Sequence, residues 1–263
     1  MIVDFKKCRI PLFAVIKCFA PFIINGVREV ILDYLKGSEY IIINKYRNAG
    51  VSETKIKNKS LLSDPKIERV RLADDWRKVL TSAYIYNLIE LYHESPEHRL
   101  DKVTLPTEDG GEVTVGFYID RGDNIDFETD ILSASSKIQP LRLIHLFYMV
   151  AYDKVMDKHV YITRYPIEDH NNTYPSGINI IPYKRTEKLV IGDTEYPFFP
   201  IVDDNDIKDV STMFIDSLVL FPIYLSALDG DFDGDQVSVI GVFSKEANED
   251  AKKHISSMNT EYL

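Results

Sequence analysis

Cysteine is nearly absent: the 263 residues include only Cys8 and Cys18, ten positions apart with no CxxC spacing. A disulfide framework and a cysteine-based zinc site built from this chain alone are thereby excluded, and a reducing, cytoplasmic setting is favoured. Positive charge is in deficit, with 31 Lys and Arg against 41 Asp and Glu and a formal charge of −10. A surface with which the chain grips nucleic acid by itself is therefore not expected, although a partner can supply the positive field. Long apolar runs are missing as well, and no segment is long and apolar enough to span a bilayer. Lys6, Lys7 and Arg9 precede an apolar stretch from Ile10 to Ile24 in the manner of a signal peptide. Lys17 interrupts that stretch, Pro11 and Pro21 break it, and no small-x-small cleavage site follows before Asn25-Gly26, so a buried strand or short helix is expected there. Glycine and proline, at twelve each, are too few for a collagen-like or low-complexity chain.

What is abundant is core material. The chain is 45% hydrophobic, with sixteen Tyr and thirteen Phe, enough for one large or two small globular domains. The expected class is α+β: a mixed helix and strand region over 1–99, then a mainly β region over 100–263. Turns are signalled at Asn25-Gly26, Lys36-Gly37-Ser38 and Asn48-Ala49-Gly50, a strand at Tyr40 to Tyr46, and a lysine-rich connector from Val51 to Ser60. Asp64 and Pro65 open a helix that should end between His93 and Pro96. His93 and His98 are five apart with Pro96 between them, the wrong spacing for a helical ligand pair. Val103 to Leu105 and Val113 to Val115, either side of Asp109-Gly110-Gly111, read as a hairpin. Arg121-Gly122-Asp123 reads as a turn, and the acidic run from Asp120 to Asp130 as a solvated face. A second helix follows Pro140, in which His145 reads as packed or capping, and a short strand follows at Val160 to Ile162. Leu218 to Leu225 and Val237 to Phe243 read as strands.

Between those last two lies Leu228-Asp229-Gly230-Asp231-Phe232-Asp233-Gly234-Asp235-Gln236. In an extended chain alternate residues share a face, so Asp231, Asp233 and Asp235 should project together while Phe232 turns toward the core. Gly234 relieves the backbone where the loop bends. Three hard carboxylates this close repel one another unless a cation neutralises them, and the pattern predicts a bound Mg²⁺ open to phosphate oxygens. The same residues match the first half of a calcium-binding EF-hand loop, but its twelfth position is Ile240 where a bidentate Glu is required, and a strand pattern follows where a helix should exit.

Asp231 to Gln236 reproduce six consecutive positions of Asn-Ala-Asp-Phe-Asp-Gly-Asp-Gln, the signature of the β′, or largest, subunit of multisubunit RNA polymerases. The resemblance extends through Val237 to Ser244, Glu246-Ala247, Ala251 and Ser256-Ser257-Met258-Asn259. Upstream, Arg164-Tyr165-Pro166 resembles the family's Asn-Arg-Ala-Pro motif, so that roughly residues 141 to 260 are covered. This resemblance implies a double-psi β-barrel in the C-terminal half. It also implies DNA-directed nucleotidyl transfer, with Asp231, Asp233 and Asp235 holding the catalytic Mg²⁺ and a second Mg²⁺ arriving with the nucleoside triphosphate. Arg164 matches the family's sugar-contacting Arg. Asp229 stands where the family has its sugar-recognising Asn, and Thr163 where an Asn precedes the Arg; His170 is out of register with the family His by one residue.

The Ser-Asn segment falls close to Leu263, so the bridge helix and trigger loop that follow it in the family are expected on another polypeptide. The chain accordingly resembles a split β′ fragment of the kind found in giant-bacteriophage polymerases. Its expected partners are the remaining β′ part, β-like chains, template DNA, RNA and NTPs, with no membrane. The competing expectations are a non-catalytic metal-binding interaction module and an RNA-templated relative with the same barrel.

Overall fold

Pro11 and Pro21 punctuate the N-terminal apolar stretch without making it a loop. In the computed structural model Pro11 stands at the N-cap of α1 (Leu12–Cys18), and Pro21 lies in the first turn of α2 (Ala20–Gly37). At both places the missing N–H removes no helical hydrogen bond. Ile23, Val27 and Ile31 are buried along α2. Asn25-Gly26, expected to turn, therefore lies inside a helix, because burial of an apolar stripe at helical spacing outweighs a local turn preference.

The structure describes residues 7–37, 80–106, 112–115, 117–120, 138–165, 172–180, 186–191, 194–200, 214, 217–220, 222–225, 228–231 and 233–261. Outside them lie the strand expected at Tyr40 to Tyr46, the lysine-rich connector, the helix start at Asp64, Arg121-Gly122-Asp123, most of the acidic run that follows it, His170 and Phe232. The remaining elements are β1 (Lys7–Arg9), α3 (Ser82–Glu94), β2 (Val103–Pro106), β3 (Glu112–Val115), β4 (Tyr118–Asp120), β5 (Ile138–Pro140), α4 (Leu143–Val155), β6 (His159–Arg164), β7 (Thr173–Asn179), β8 (Thr186–Ile191), β9 (Thr194–Pro200), β10 (Val237–Gly241) and α5 (Lys245–Glu261). The chain thus mixes helices and strands throughout. Among the described residues the strands form one open four-stranded sheet and three two-stranded ladders, with no closed barrel.

Two compact units are present, and each draws on residues from before and after position 100. The first comprises Met1–Ile23, Phe147–Thr186 and Ser211–Leu263. Its sheet has the order β1-β7-β6-β10, with β1 parallel to β7 and the other pairs antiparallel. Under it Cys8 donates its N–H to Ser176 Oγ at 2.8 Å, and its thiol meets the Tyr174 hydroxyl at 3.1 Å. Tyr174 stacks on Tyr224 with centroids 4.5 Å apart. Burial, more than the neighbouring thiol, pushes the Tyr174 phenol far above its ordinary range. On leaving β10 the chain is clasped by Asn248, which accepts the His159 N–H at 2.8 Å and donates to the carbonyls of Val242 and Ser244. Ser244 Oγ then accepts the Ala247 N–H at 3.1 Å and so caps α5, a helix the strand and turn signals of that half do not announce.

One strand expectation fails in this unit. Leu218 to Leu225 is not a strand: Val219 makes a single antiparallel bridge with Arg9, and Pro222–Tyr224 is a 3₁₀ turn. Pro222 has a fixed φ and no N–H to donate, so a ladder cannot continue through it.

The second unit comprises Ile24–Leu146 and Glu187–Val210. Thr81 caps α3 by accepting the Tyr84 N–H at 3.3 Å, and the helix ends at Glu94, within the expected His93 to Pro96 window. The strands of the expected hairpin pair antiparallel, with Val103 opposite Val115 and Leu105 opposite Val113. His93 and His98 are exposed. His145 is buried. Its Nδ1 accepts the Arg142 N–H at 3.1 Å, which places the proton on Nε2 to donate to the Pro200 carbonyl at 3.0 Å, and its ring stacks on Phe199 at 5.0 Å. It is a packed, capping histidine.

Candidate metal centre

The site begins as a register. β6 and β10 run antiparallel with Arg164 opposite Val237. Side chains two apart share a face of a strand, so Arg164 lies beside Val237 and diagonally beside Asp235, which precedes β10 by two residues. Thr163 points the other way. Its hydroxyl donates to the Asn172 carbonyl at 3.0 Å in the core, so the residue standing for the family's Asn is committed to packing.

The loop is bent rather than extended. Asp229 has φ +47° and Gly234 φ +112°, both in the left-handed half of backbone space, which Asp tolerates and Gly adopts without cost. Asp233 N–H donates to Asp231 Oδ1 at 3.2 Å, and Asp231 N–H donates to Asp235 Oδ2 at 3.2 Å. These turns, not strand alternation, bring one carboxylate oxygen from each of Asp231, Asp233 and Asp235 to within 4.8 Å of one another. Asp231 and Asp233 are open to solvent, whereas the Asp235 side chain, against Arg164, is 25% exposed. The Asp233 side chain, and then its N–H, hydrogen-bonds Asp231 and holds that carboxyl below its ordinary range; the same side-chain bond, and then the Asp231 charge, pushes Asp233 up.

Arg164 ties the loop to the sheet. Its NH2 donates to Asp235 Oδ1 at 3.2 Å and its Nε stands 3.0 Å from Asp235 Oδ2 as an ion pair, a two-point contact on one carboxylate, while NH1 donates to the Asp229 carbonyl. The Asp229 carboxylate stands 3.8 Å from NH1, and its side chain is 97% exposed. Arg164 and Asp229 thus share one side of the loop, and the guanidinium engages both ends of the acidic segment.

A cleft of about 600 Å³ opens against this face. Arg164, Asp231 and Asp235 line one wall, and Pro11, Ala14, Leu220 and Val239 line apolar parts of the rest. Sequence reasoning did not find the apolar wall, because Pro11 and Ala14 lie more than 140 residues from Arg164 and carry no local signal.

The donor set suits a hard cation. Around an octahedral Mg²⁺ with oxygens at about 2.0–2.1 Å, adjacent ligands stand about 3 Å apart and opposite ones about 4 Å, so the 4.8 Å cluster must contract by about 1–2 Å to close on the ion. No nitrogen or sulfur ligand is present in the cluster, which disfavours zinc or copper. No protein-family model, curated protein or solved structure matches the chain.

Proposed function

We propose that the chain is a catalytic fragment of a multisubunit, DNA-directed RNA polymerase, active as part of a complex. The observation that carries this reading is the convergence of Asp231, Asp233 and Asp235 within 4.8 Å, in the one segment that reproduces the polymerase hexamer. The cleft beside the loop adds room for a ligand of mononucleotide size, since small-molecule sites run from about 300 to 1,000 Å³. A double-psi barrel remains part of the proposal, with the sheet β1-β7-β6-β10 as its contribution from this chain.

In this reading the three carboxylates hold Mg²⁺ beside an open cleft, from which triphosphate and RNA can approach. Bound there, Mg²⁺ supplies activation of the RNA 3′-hydroxyl and charge stabilisation at the phosphorus, a second ion arriving with the NTP. The chain's own residues position and neutralise. Arg164 offsets part of the carboxylate charge, and the Asp229 carboxylate is placed to accept from a sugar hydroxyl. The missing positive surface is assigned to partner chains.

The test is copurification of a tagged full-length chain followed by a transcription assay of the assembled complex. β-like and β′-like partners should copurify, and Mg²⁺-dependent RNA synthesis should be lost with Asp233→Ala while assembly persists, because Asp233 is exposed and fills no core. Normal elongation by the Asp233→Ala complex would remove the metal assignment and favour a non-catalytic binding module.

A further inference from the structure

We propose that Arg164 is a positioning residue for the metal, acting through Asp235, and that this is its first duty ahead of any contact with the nucleotide sugar. The inference rests on the reading of Asp231, Asp233 and Asp235 as a Mg²⁺ site. The guanidinium is already committed to the loop: NH2 donates to Asp235 Oδ1 at 3.2 Å, NH1 donates to the Asp229 carbonyl, and Nε pairs with Asp235 Oδ2 at 3.0 Å. The pair is sheltered, with the Arg164 and Asp235 side chains only 24% and 25% exposed. A bidentate fork fixes the carboxylate plane as well as its place, which a point charge cannot do.

Counting lone pairs shows what the fork leaves. Asp235 Oδ2 accepts from the Asp231 N–H at 3.2 Å and has the Arg164 Nε charge 3.0 Å away, so it is the more heavily engaged of the two oxygens. Oδ1 accepts from NH2 alone and keeps one lone pair. Asp235 is therefore held as a one-oxygen ligand through Oδ1, pre-aimed by a partner that does not itself touch the ion. NH1 on the Asp229 carbonyl fixes the other end of the loop, so the clamp sets the spacing of the whole cluster. Partners that orient ligating groups in this way are worth about 10- to 100-fold in metal affinity.

The sign of the effect separates this role from plain electrostatics. A guanidinium beside a cation site repels the cation, so removing Arg164 for its charge alone should tighten binding. If Arg164 positions, removing it should loosen binding despite the charge relief. The experiment titrates the full-length chain with Mn²⁺, followed by the electron paramagnetic resonance signal of the free ion, for wild type, Arg164→Met and Arg164→Lys. Met keeps the apolar stem that passes Gly230, and Lys keeps the charge but not the fork.

Arg164→Met should bind Mn²⁺ at least about tenfold more weakly than wild type. Arg164→Lys should fall between the two, with far-ultraviolet circular dichroism unchanged in both. Wild-type or tighter affinity in Arg164→Met, or full wild-type affinity in Arg164→Lys, would overturn the positioning role while leaving the metal site standing. The double variant Asp231→Ala/Asp233→Ala is the control on the site itself: Mn²⁺ binding that survives it, or is absent from every form, removes the metal site and this inference together.

Discussion

Arg164 faces Val237 across the β6–β10 ladder, and that one pairing brings a guanidinium 71 residues away in sequence onto Asp235. The register does the placing, because a one-residue slip would turn Arg164 to the face that Thr163 occupies.

This relationship separates two aspartates that look alike in sequence. Asp235→Ala should lower the stability of the isolated chain by about 1 kcal/mol, since it strips a half-sheltered guanidinium of a bidentate partner that solvent only partly screens. Asp233→Ala, fully exposed, should leave the midpoint of thermal unfolding near that of wild type. Equal melting behaviour of the two variants would mean that the Arg164 fork contributes no stability.

Sugar selection is expected to involve Asp229. Asp229→Gly removes the carboxylate while keeping the left-handed backbone at φ +47° and the carbonyl that Arg164 uses. In the assembled polymerase, discrimination between matched NTP and dNTP should fall about tenfold, the worth of one charge-assisted hydrogen bond to a hydroxyl. Mn²⁺ affinity should not change. Single-nucleotide incorporation measures the ratio, and a ratio equal to wild type would remove Asp229 from the sugar site.

The purified chain alone should neither synthesise RNA on a template nor hold DNA. With a formal charge of −10 it repels the phosphate backbone, and fluorescence anisotropy with duplex DNA at physiological salt should give a dissociation constant weaker than about 10 μM. Robust template-directed synthesis by the single chain would contradict the split-subunit reading.

Gly241 closes β10 against the first helices. A Cβ there would stand 3.1 Å from the Cys18 carbonyl oxygen and 3.1 Å from a Phe19 ring carbon, and the carbonyl belongs to backbone that has little room to yield. Gly241→Ala should therefore destabilise the chain by about 1–3 kcal/mol, the range for overpacking. Chemical denaturation would show this as a lower midpoint with an unchanged slope. A variant as stable as wild type would show that α1 can retreat from the strand.

Local signals carried the elements whose cause is local. The hairpin of β2 and β3 follows from alternation around a glycine-rich turn, β6 from its short apolar run, and the buried role of His145 from its place on an apolar helix. Asn25-Gly26 misled because a turn preference of two residues competes with a helix that buries Ile23, Val27 and Ile31. Leu218 to Leu225 misled because an apolar run of that length can be a strand or an irregular buried segment, and Pro222 decided against the strand. The helix α5 is less legible because charged and polar residues dominate its sequence and leave only a sparse apolar stripe, and its start is set by Ser244 as a cap.

The sequence by itself determined the chemistry of the site: aspartates at alternate positions around Gly234 are hard ligands that repel one another, and that holds in whatever fold contains them. It also determined the charge that makes unaided DNA binding unfavourable. Tertiary structure alone decided the partner of Asp235, the commitment of Thr163 to the core and the apolar wall of the cleft. Each of these depends on strand register and on segments that meet only when the sheet forms: which face of β6 Thr163 takes is set by the pairing, and a contact such as Arg164 with Asp235, 71 positions apart, leaves no trace in local composition.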